Sequence, residues 1–539
     1  MAACSSVSEP RVAPCTAQNS AAVGTLGVGQ YNSIVPSTDG CVIFGANSGS
    51  DTIEYVVVAQ SVTSNPNRKA DFRLAGEAMV LGPAPAVMST LRTPVPTTVA
   101  DQFHAFLRGE EAKSARLPVP PGAALATVRT PPPQIGEQRV FKVCSNVNSC
   151  TPMTTVTGVV VAVGQRLALY VDQTAQGSLT STDYQEIATV FDQRLYPLDT
   201  LAFGTESDVD GNGVIMVLMT PAINRLVSAQ TCMTAGYVAG YFFGLDIDPA
   251  QQFNPNFNKG EVFYTIVPDP SGQYSCTHTA QRVKEFVPVI FVHELQHMIS
   301  FNWHVLKRNR TAAATEVLWL NEALSHYAEE LGGRTYLPGD QATFSVYLSG
   351  NIRNAYSYMA RPDSHFVIAT FGSGTLGERG AGWLLMRYLV DQLANDSAMS
   401  SWHVATRQLV QTDTVGVANI EARTGVPIEQ TLARWALALW VSDLPGFTAP
   451  PELRYRSWRF RTTYAGLYPA TFDKPFPIDP PVAIGPDVDL VGTLRSGAGM
   501  YERVKQPAGA GAFTLQLAAP DGAPITSGLA PRLNVVRVR

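Results

Sequence analysis

Two rhythms of apolar residues alternate along the chain. From Gly24 to about Ala75 apolar positions come in short alternating runs (VGTLGVGQYNSIV, CVIFGA, TIEYVVVAQSV, DFRLAG) separated by Gly, Asn, Ser and Asp. Period-two runs bounded by turn residues predict strands, so 21–80 is expected to be a small β-sandwich behind an N-terminal tether at 1–20. Residues 81–136 carry clustered prolines (PAPAV, TPVPTT, LPVPPG, TPPPQ) around one helical stretch, VADQFHAFLRGEEAKSAR at 99–116. That composition reads as a linker with a helix inside it. From about Glu137 the pattern changes again. TTVTGVVVAVGQRLALYVD predicts two strands, STDYQEIATVFDQRLYPL an amphipathic helix begun by a Ser/Thr/Asp cap, and VIMVLMTP and GEVFYTIVP further strands. After Ser275 the spacing turns helical, through HELQH, TEVLWLNEALSHYAEELGG, GAGWLLMRYLVDQLA and IEQTLARWALALWVSDL. A mixed α/β lobe followed by a helical lobe, over 137–445, is the layout of a two-lobed catalytic domain. A second Pro-rich linker is expected at 446–485 and a C-terminal β-domain at 486–539.

Composition narrows the partners. With 539 residues, 45% of them apolar, the chain can build several cores; 43 Gly and 38 Pro suit a turn-rich, β-containing protein. The net charge is −5, and LKRNR at 306–310 is the densest basic cluster, a solvated loop or helix face. Nucleic acid is thereby excluded as an expected partner. No stretch reaches the roughly 20 apolar residues that span a bilayer, and FVPVIFV at 286–292 is too short. No C-x-x-C pair occurs among the seven cysteines, which argues against a thiolate metal cluster. They fall as Cys4 plus three local pairs, 15–41, 144–150 and 232–276, a spacing that suits disulfides in an oxidising compartment. Cys4 lies in MAACSS, which reads either as the cut site of a bacterial lipoprotein signal, giving a lipid anchor, or as an ordinary flexible terminus. A monomer outside the cytoplasm is the expectation.

HELQHMISFN, beginning at His293, carries the chemistry. On a helix His293 and His297 are i and i+4, which stacks their imidazoles on one face where both can reach a Zn2+. Glu294 can aim its carboxylate at a zinc-activated water and take its proton as general base. A solvated His/Glu/His face would explain the same letters, but three of only eight histidines lie here (293, 297, 304) and a third ligand follows. In WLNEALSHYAEEL, Trp319, Leu320, Ala323, Leu324, Tyr327 and Ala328 form an apolar helical stripe. Glu322 sits beside that stripe, where a carboxylate is costly unless paired or bound to metal. Asn321, Ser325 and Glu329 stand where they could hydrogen-bond the far imidazole nitrogens. Two His, one Glu and an open position make a catalytic zinc arrangement.

HELQH followed by NEALS resembles the gluzincin metallopeptidases, whose third zinc ligand is the Glu of an N-E motif on the next helix. HELQHMISFN together with FGTESDVDGNGVIMVLMTP and GEVFYTIVPDP is similar to the hyicolysin-type peptidases, over roughly 140–400. The resemblance implies a multidomain α+β protein with a thermolysin-like two-lobed zinc peptidase domain flanked by small β-sandwich domains. It implies zinc on His293, His297 and Glu322, Glu294 as general base and proton donor, Glu329 as a supporting carboxylate, and strand 260–266 as the edge on which a peptide lies. The chain departs from the pattern in places. Twenty-four residues separate His297 from Glu322, position 326 is His where thermolysin-like enzymes have Asp, and GERGAGWLL has Gly377 where aminopeptidase relatives carry a transition-state Tyr. Tyr356, Tyr358, His365 and Arg379 are the candidates for stabilising the oxyanion.

SDVDGNGVI at 207–215 spaces Asp208, Asp210 and Asn212 as in a calcium loop, but Met219 stands where the closing Glu belongs. Ca2+ as a second ion and a plain Asp/Gly/Asn turn both fit. No G-x-S-x-G elbow and no phosphate-binding G-x-x-x-x-G-K-[ST] occurs. The expected function is a secreted or surface-tethered zinc endopeptidase acting on protein or peptide. The alternatives are an inert surface binding protein on a zinc peptidase scaffold, and an aminopeptidase.

Overall fold

The computed structural model describes residues 14–79, 98–123, 129–308, 315–370 and 375–539. Cys4 and the MAACSS stretch lie outside them, as do parts of the first Pro-rich segment and of LKRNR. The chain is mixed α+β and divides into two compact units: 95–358 with 369–426, and 1–94 with 359–368 and 427–539.

The unit built on 95–358 and 369–426 opens with helix α1 (Val99–Ser114) and contains one six-stranded sheet. Its strands are β1 (Gln138–Val143), β2 (Thr154–Val163), β3 (Leu167–Asp172), β4 (Ile215–Met219), β5 (Gly240–Phe242) and β6 (Val262–Thr265), in the spatial order β5-β6-β4-β3-β2-β1. β3, β4 and β6 run parallel to one another, and the outer strands pair antiparallel. LALYVD and IMVLM are buried on both faces, as central parallel strands covered by helices must be. Helices α2 (Ser181–Val190) and α3 (Tyr196–Ala202) precede β4. The helical half follows: α4 (Ala280–Phe301), α5 (Leu318–Arg334), α6 (Gln341–Ala360) and α7 (Leu376–Leu393). α4 packs against β5 and β6 on one side and α5 on another, and α5 packs against α7.

The other unit corrects the expected division of the chain. Residues 21–80 and 486–539 do not form separate β-domains; their strands interleave in two five-stranded sheets. Ile53–Ser61 lies between Gly499–Gln506 and Pro531–Arg537, and Lys69–Gly76 lies between Asp489–Arg495 and Phe513–Ala518. The sheets share one core that includes Val57, Phe72, Leu74, Val504, Leu515 and Leu533. Period-two alternation identifies a strand but not its partner, and here each central strand finds its partners at the far end of the chain. The stretch 446–485 is part of this unit and not a linker. Leu453 and Tyr464 are fully buried in it, and the Tyr455 hydroxyl accepts a hydrogen bond from Trp435 Nε1 at 2.9 Å. The helix Ile428–Val441, expected in the catalytic domain, also belongs here; Tyr501 donates to its Ala436 carbonyl at 2.8 Å.

Three disulfides close as the cysteine spacing predicts: Cys15–Cys41, Cys144–Cys150 and Cys232–Cys276. Among the described residues no helix is long and apolar enough to cross a membrane.

Candidate metal centre

Two helices bring the HELQH and NEALS residues together. α4 starts at Thr279, whose side chain accepts from the Arg282 N–H, and every residue from Val287 to Phe301 is buried. A helix apolar all round runs through a core, so its His and Glu side chains are held away from water. The His293 and His297 rings lie 4.9 Å apart, one turn from each other. On α5, Glu322 faces them: its Oε1 is 3.5 Å from His297 Nε2 and its Oε2 3.8 Å from His293 Nε2. The far nitrogens have acceptor partners. His293 Nδ1 is 2.7 Å from Glu329 Oε1, and His297 Nδ1 is 3.1 Å from Asn321 Oδ1. Because both partners are acceptors, each Nδ1 carries the proton and each Nε2 presents its lone pair toward Glu322. Ser325, expected in the same role, instead donates to the Asn321 and Glu322 carbonyls of its own helix.

Those inward atoms are orphans. His293 Nε2, His297 Nε2 and both Glu322 oxygens are buried without a hydrogen-bond partner. A single buried polar atom left unpaired costs about 1–3 kcal/mol, so four converging on one point call for a shared partner. Two imidazole nitrogens and a carboxylate are a zinc donor set, and donors held at about 2.0–2.2 Å around a tetrahedral ion stand roughly 3.3–3.6 Å apart. The measured spacing fits such an ion with little adjustment.

Electrostatics favour a cation there. Burial raises the Glu322 carboxyl, but Arg379 and three imidazoles outweigh it and hold the group well below its ordinary range. Burial drives His297 well below the usual imidazole value, which keeps it neutral as a ligand must be. For His293 the burial effect is also downward, yet the Glu329 hydrogen bond and the carboxylates of Glu294, Glu329 and Glu322 reverse it and raise the ring. A proton and a cation therefore compete for this nitrogen. Burial would raise Glu329 too, but His326 and His293 bring it down to about 2. His326 Nδ1 stands 3.1 Å from Glu329 Oε1, so the position where thermolysin-like enzymes have Asp still reaches this network. Glu294 is raised by burial, partly offset by His293 and Arg108, and its Oε2 accepts the Phe242 N–H at 2.8 Å. A raised carboxyl fixed against a strand suits an acid–base group.

Helix α1, expected inside a linker, enters this site. His104 Nδ1 is buried, without a partner, and 3.8 Å from Glu322 Oε1. Donor atoms of His104, His293, His297 and Glu322 all lie within 4.8 Å of one another. Asp101, His104, Arg108 and Glu111 recur at intervals of three and four beside Phe103 and Leu107. That polar stripe on a buried helix face was the signal available in the sequence. Arg108 Nη2 donates to the Phe242 carbonyl at 2.6 Å and pairs with Glu111 at 2.9 Å, and Glu111 Oε1 accepts the Gly244 N–H at 2.7 Å. Asp101 pairs with Arg379, whose Nη1 is 3.4 Å from Glu322 Oε2.

A cavity of about 200 Å3 adjoins the cluster, lined by His104, Gly240, His293, Glu294, Glu329 and Arg379 among others. Of the oxyanion candidates only Arg379 lines it. Tyr356 and Tyr358 do not, and His365 belongs to the other unit. The edge of the sheet is also not where the sequence put it. Residues 260–266 supply β6, paired on both sides, and β5 is the edge strand. At 207–215, Asp208 Oδ1 accepts from Gly213 N, Asp210 Oδ2 accepts from Asn212 Nδ2, and Arg139 stands 3.7 Å from Asp210. Glu261 joins them and accepts the Val209 N–H. The carboxylates thus bond within the turn, and Asp208, Asp210 and Glu261 also stand close enough together to hold a cation.

No family model matches the chain. The chain is similar to the neutral metalloprotease ShpI of Staphylococcus hyicus, at 25% identity over 194 residues, which cover 34% of this chain and 41% of that protein. The matched stretch thus spans about two fifths of the relative's length and ties the chain, at a distance, to a metalloprotease.

Proposed function

We propose that the protein is a zinc-dependent endopeptidase with a thermolysin-like two-lobed catalytic unit, working outside the cytoplasm. His293, His297 and Glu322 would hold the zinc. The observation that carries the reading is the convergence of their four buried donor atoms, none with a hydrogen-bond partner, beside a second carboxylate, Glu294. When bound, zinc supplies Lewis acidity, which polarises a peptide carbonyl and lets water give up a proton near neutral pH. Glu294 takes that proton and returns it to the leaving amine. Its raised affinity for a proton and its anchoring to Phe242 N–H keep the carboxyl both basic enough and aimed. Glu329 and Asn321 hold the two imidazoles in the tautomer a metal needs. Arg379, the cation beside Glu322 and the cavity, is the group we assign to carbonyl-oxygen stabilisation. A peptide would add along β5, an edge strand of the sheet. Three disulfides support an oxidising compartment.

The test compares wild type with Glu294→Gln for zinc content and casein hydrolysis. Both proteins should carry one zinc per chain, and the variant should lose about 10²–10⁴-fold in rate while a chelator abolishes the wild-type activity. Zinc without hydrolysis in either protein would favour an inert scaffold used for binding, unless another segment of the chain covers the cleft. Absence of zinc would remove the metal reading altogether.

A further inference from the structure

The mechanism above leaves His104 unused, although it is the fourth buried donor in the cluster. We propose that His104 of helix α1 is a fourth zinc ligand, so that the described conformation is a closed form in which α1 occupies the position where water and the peptide would enter. The inference rests on the zinc reading of His293, His297 and Glu322.

Three observations carry it. First, His104 Nδ1 has no hydrogen-bond partner despite complete burial, and it lies 3.8 Å from Glu322 Oε1, within the mutual span of the other donors. Three protein ligands leave a catalytic zinc one open position, whereas a fourth protein ligand closes the tetrahedron as in structural sites. Second, α1 covers the sheet edge. Arg108 takes the Phe242 carbonyl of β5, Glu111 takes the Gly244 N–H just beyond it, and Phe103 packs edge-on against Tyr241 at 5.1 Å. The Phe242 carbonyl is a group an incoming peptide strand would use, and α1 already satisfies it. Third, Asp101 on the same helix pairs with Arg379, the cation assigned to the substrate oxygen. One helix thus engages the metal position, the peptide edge and the oxyanion group together. A helix that merely filled space would not need a polar residue at each of these points, and each buried polar group costs free energy unless it is matched.

Zinc K-edge X-ray absorption on the full-length wild type counts the imidazoles bound to the metal, without any substitution. Three imidazoles are expected in the wild type and two in His104→Ala. Acetohydroxamate, a small zinc-binding probe, should perturb the cobalt-substituted His104→Ala spectrum at concentrations that leave the wild type unchanged. Two imidazoles in the zinc-loaded wild type would overturn the fourth ligand while leaving the zinc site standing. A wild type that takes up no zinc would overturn both, so the two failures are told apart. Should His104→Ala fail to fold, the wild-type count alone decides.

Discussion

Two kinds of partnerless buried atoms occur in this protein, and their chemistry separates them. At the proposed metal centre the orphans belong to His293, His297 and Glu322 and converge on one point, an arrangement that a shared cation would satisfy. Asp199 on α3 is the contrary case. It is completely buried, neither carboxyl oxygen has a hydrogen-bond partner, and burial raises its pKa well above the ordinary carboxylate range. A lone buried carboxyl with no cation is best held neutral. The folded state then binds the Asp199 proton more tightly than the unfolded state does. Its contribution to stability is complete below about pH 4 and is lost as the pH rises toward the folded pKa, at up to about 1.4 kcal/mol per unit. Asp199→Asn removes that dependence. The variant should match the wild type in melting temperature near pH 4 and exceed it increasingly from pH 5 to 7. A gain independent of pH would show instead that the carboxyl is not the titrating group. The residues of HELQH and NEALS were legible in the sequence because each motif lies within one helical turn or two. His104 was legible only as one member of a polar helix stripe, because what makes it a donor is where its helix lands.

At the level of elements, close approach accounts for one glycine of the GERGAGWLL stretch. GERGAGWLL has Gly377 where the aminopeptidase pattern has Tyr, and Gly380, three residues on, serves packing: a Cβ on Gly380 would collide with the Asn354 backbone of α6. The α6 backbone can therefore come against α7 only because position 380 has no side chain. Gly380→Ala should force the helices apart at a cost of roughly 1–3 kcal/mol, the usual range for overpacking. Arg379 is the preceding residue, so the displacement should also weaken its contacts with Asp101 and Glu322. Urea unfolding measures the first effect, and zinc affinity by chelator competition the second. Unchanged urea stability would mean that the contact relaxes without strain. The helices themselves were readable from apolar spacing: α4, α5 and α7 fall where the periodicity predicts them. The edge strand was not. Gly240–Phe242 is three residues long, too short for alternation to register, whereas the GEVFYTIVP stretch that contains β6 is long enough to be recognised as a strand.

The whole molecule joins its two ends in one sandwich, while the metal cluster lies entirely within the other unit. Local sequence could not show this. Alternation marks the strands at 21–76 and 482–537 equally well whether they form two domains or one, and only pairing decides. Pairing places Pro531–Arg537 between Tyr31–Ile34 and Ile53–Ser61, with Leu533 and Val535 in the common core. Deleting 527–539 would leave Tyr31–Ile34 without a hydrogen-bonded neighbour, strip one side of Ile53–Ser61 and open that core, which a sandwich of this size cannot absorb locally. Metal removal acts elsewhere. A ligand that binds only the folded state stabilises the elements that hold it, so stripping zinc should loosen α4 and α5 first. Hydrogen exchange followed by mass spectrometry tests both at once. A chelator should speed exchange in 280–301 and 318–334 and leave 53–61 protected, whereas the C-terminal deletion should expose 53–61 and leave 280–301 protected. Faster exchange in 53–61 on chelation would mean that the two units open as one cooperative body, and the metal would then be holding together far more of the chain than the helices that carry its ligands.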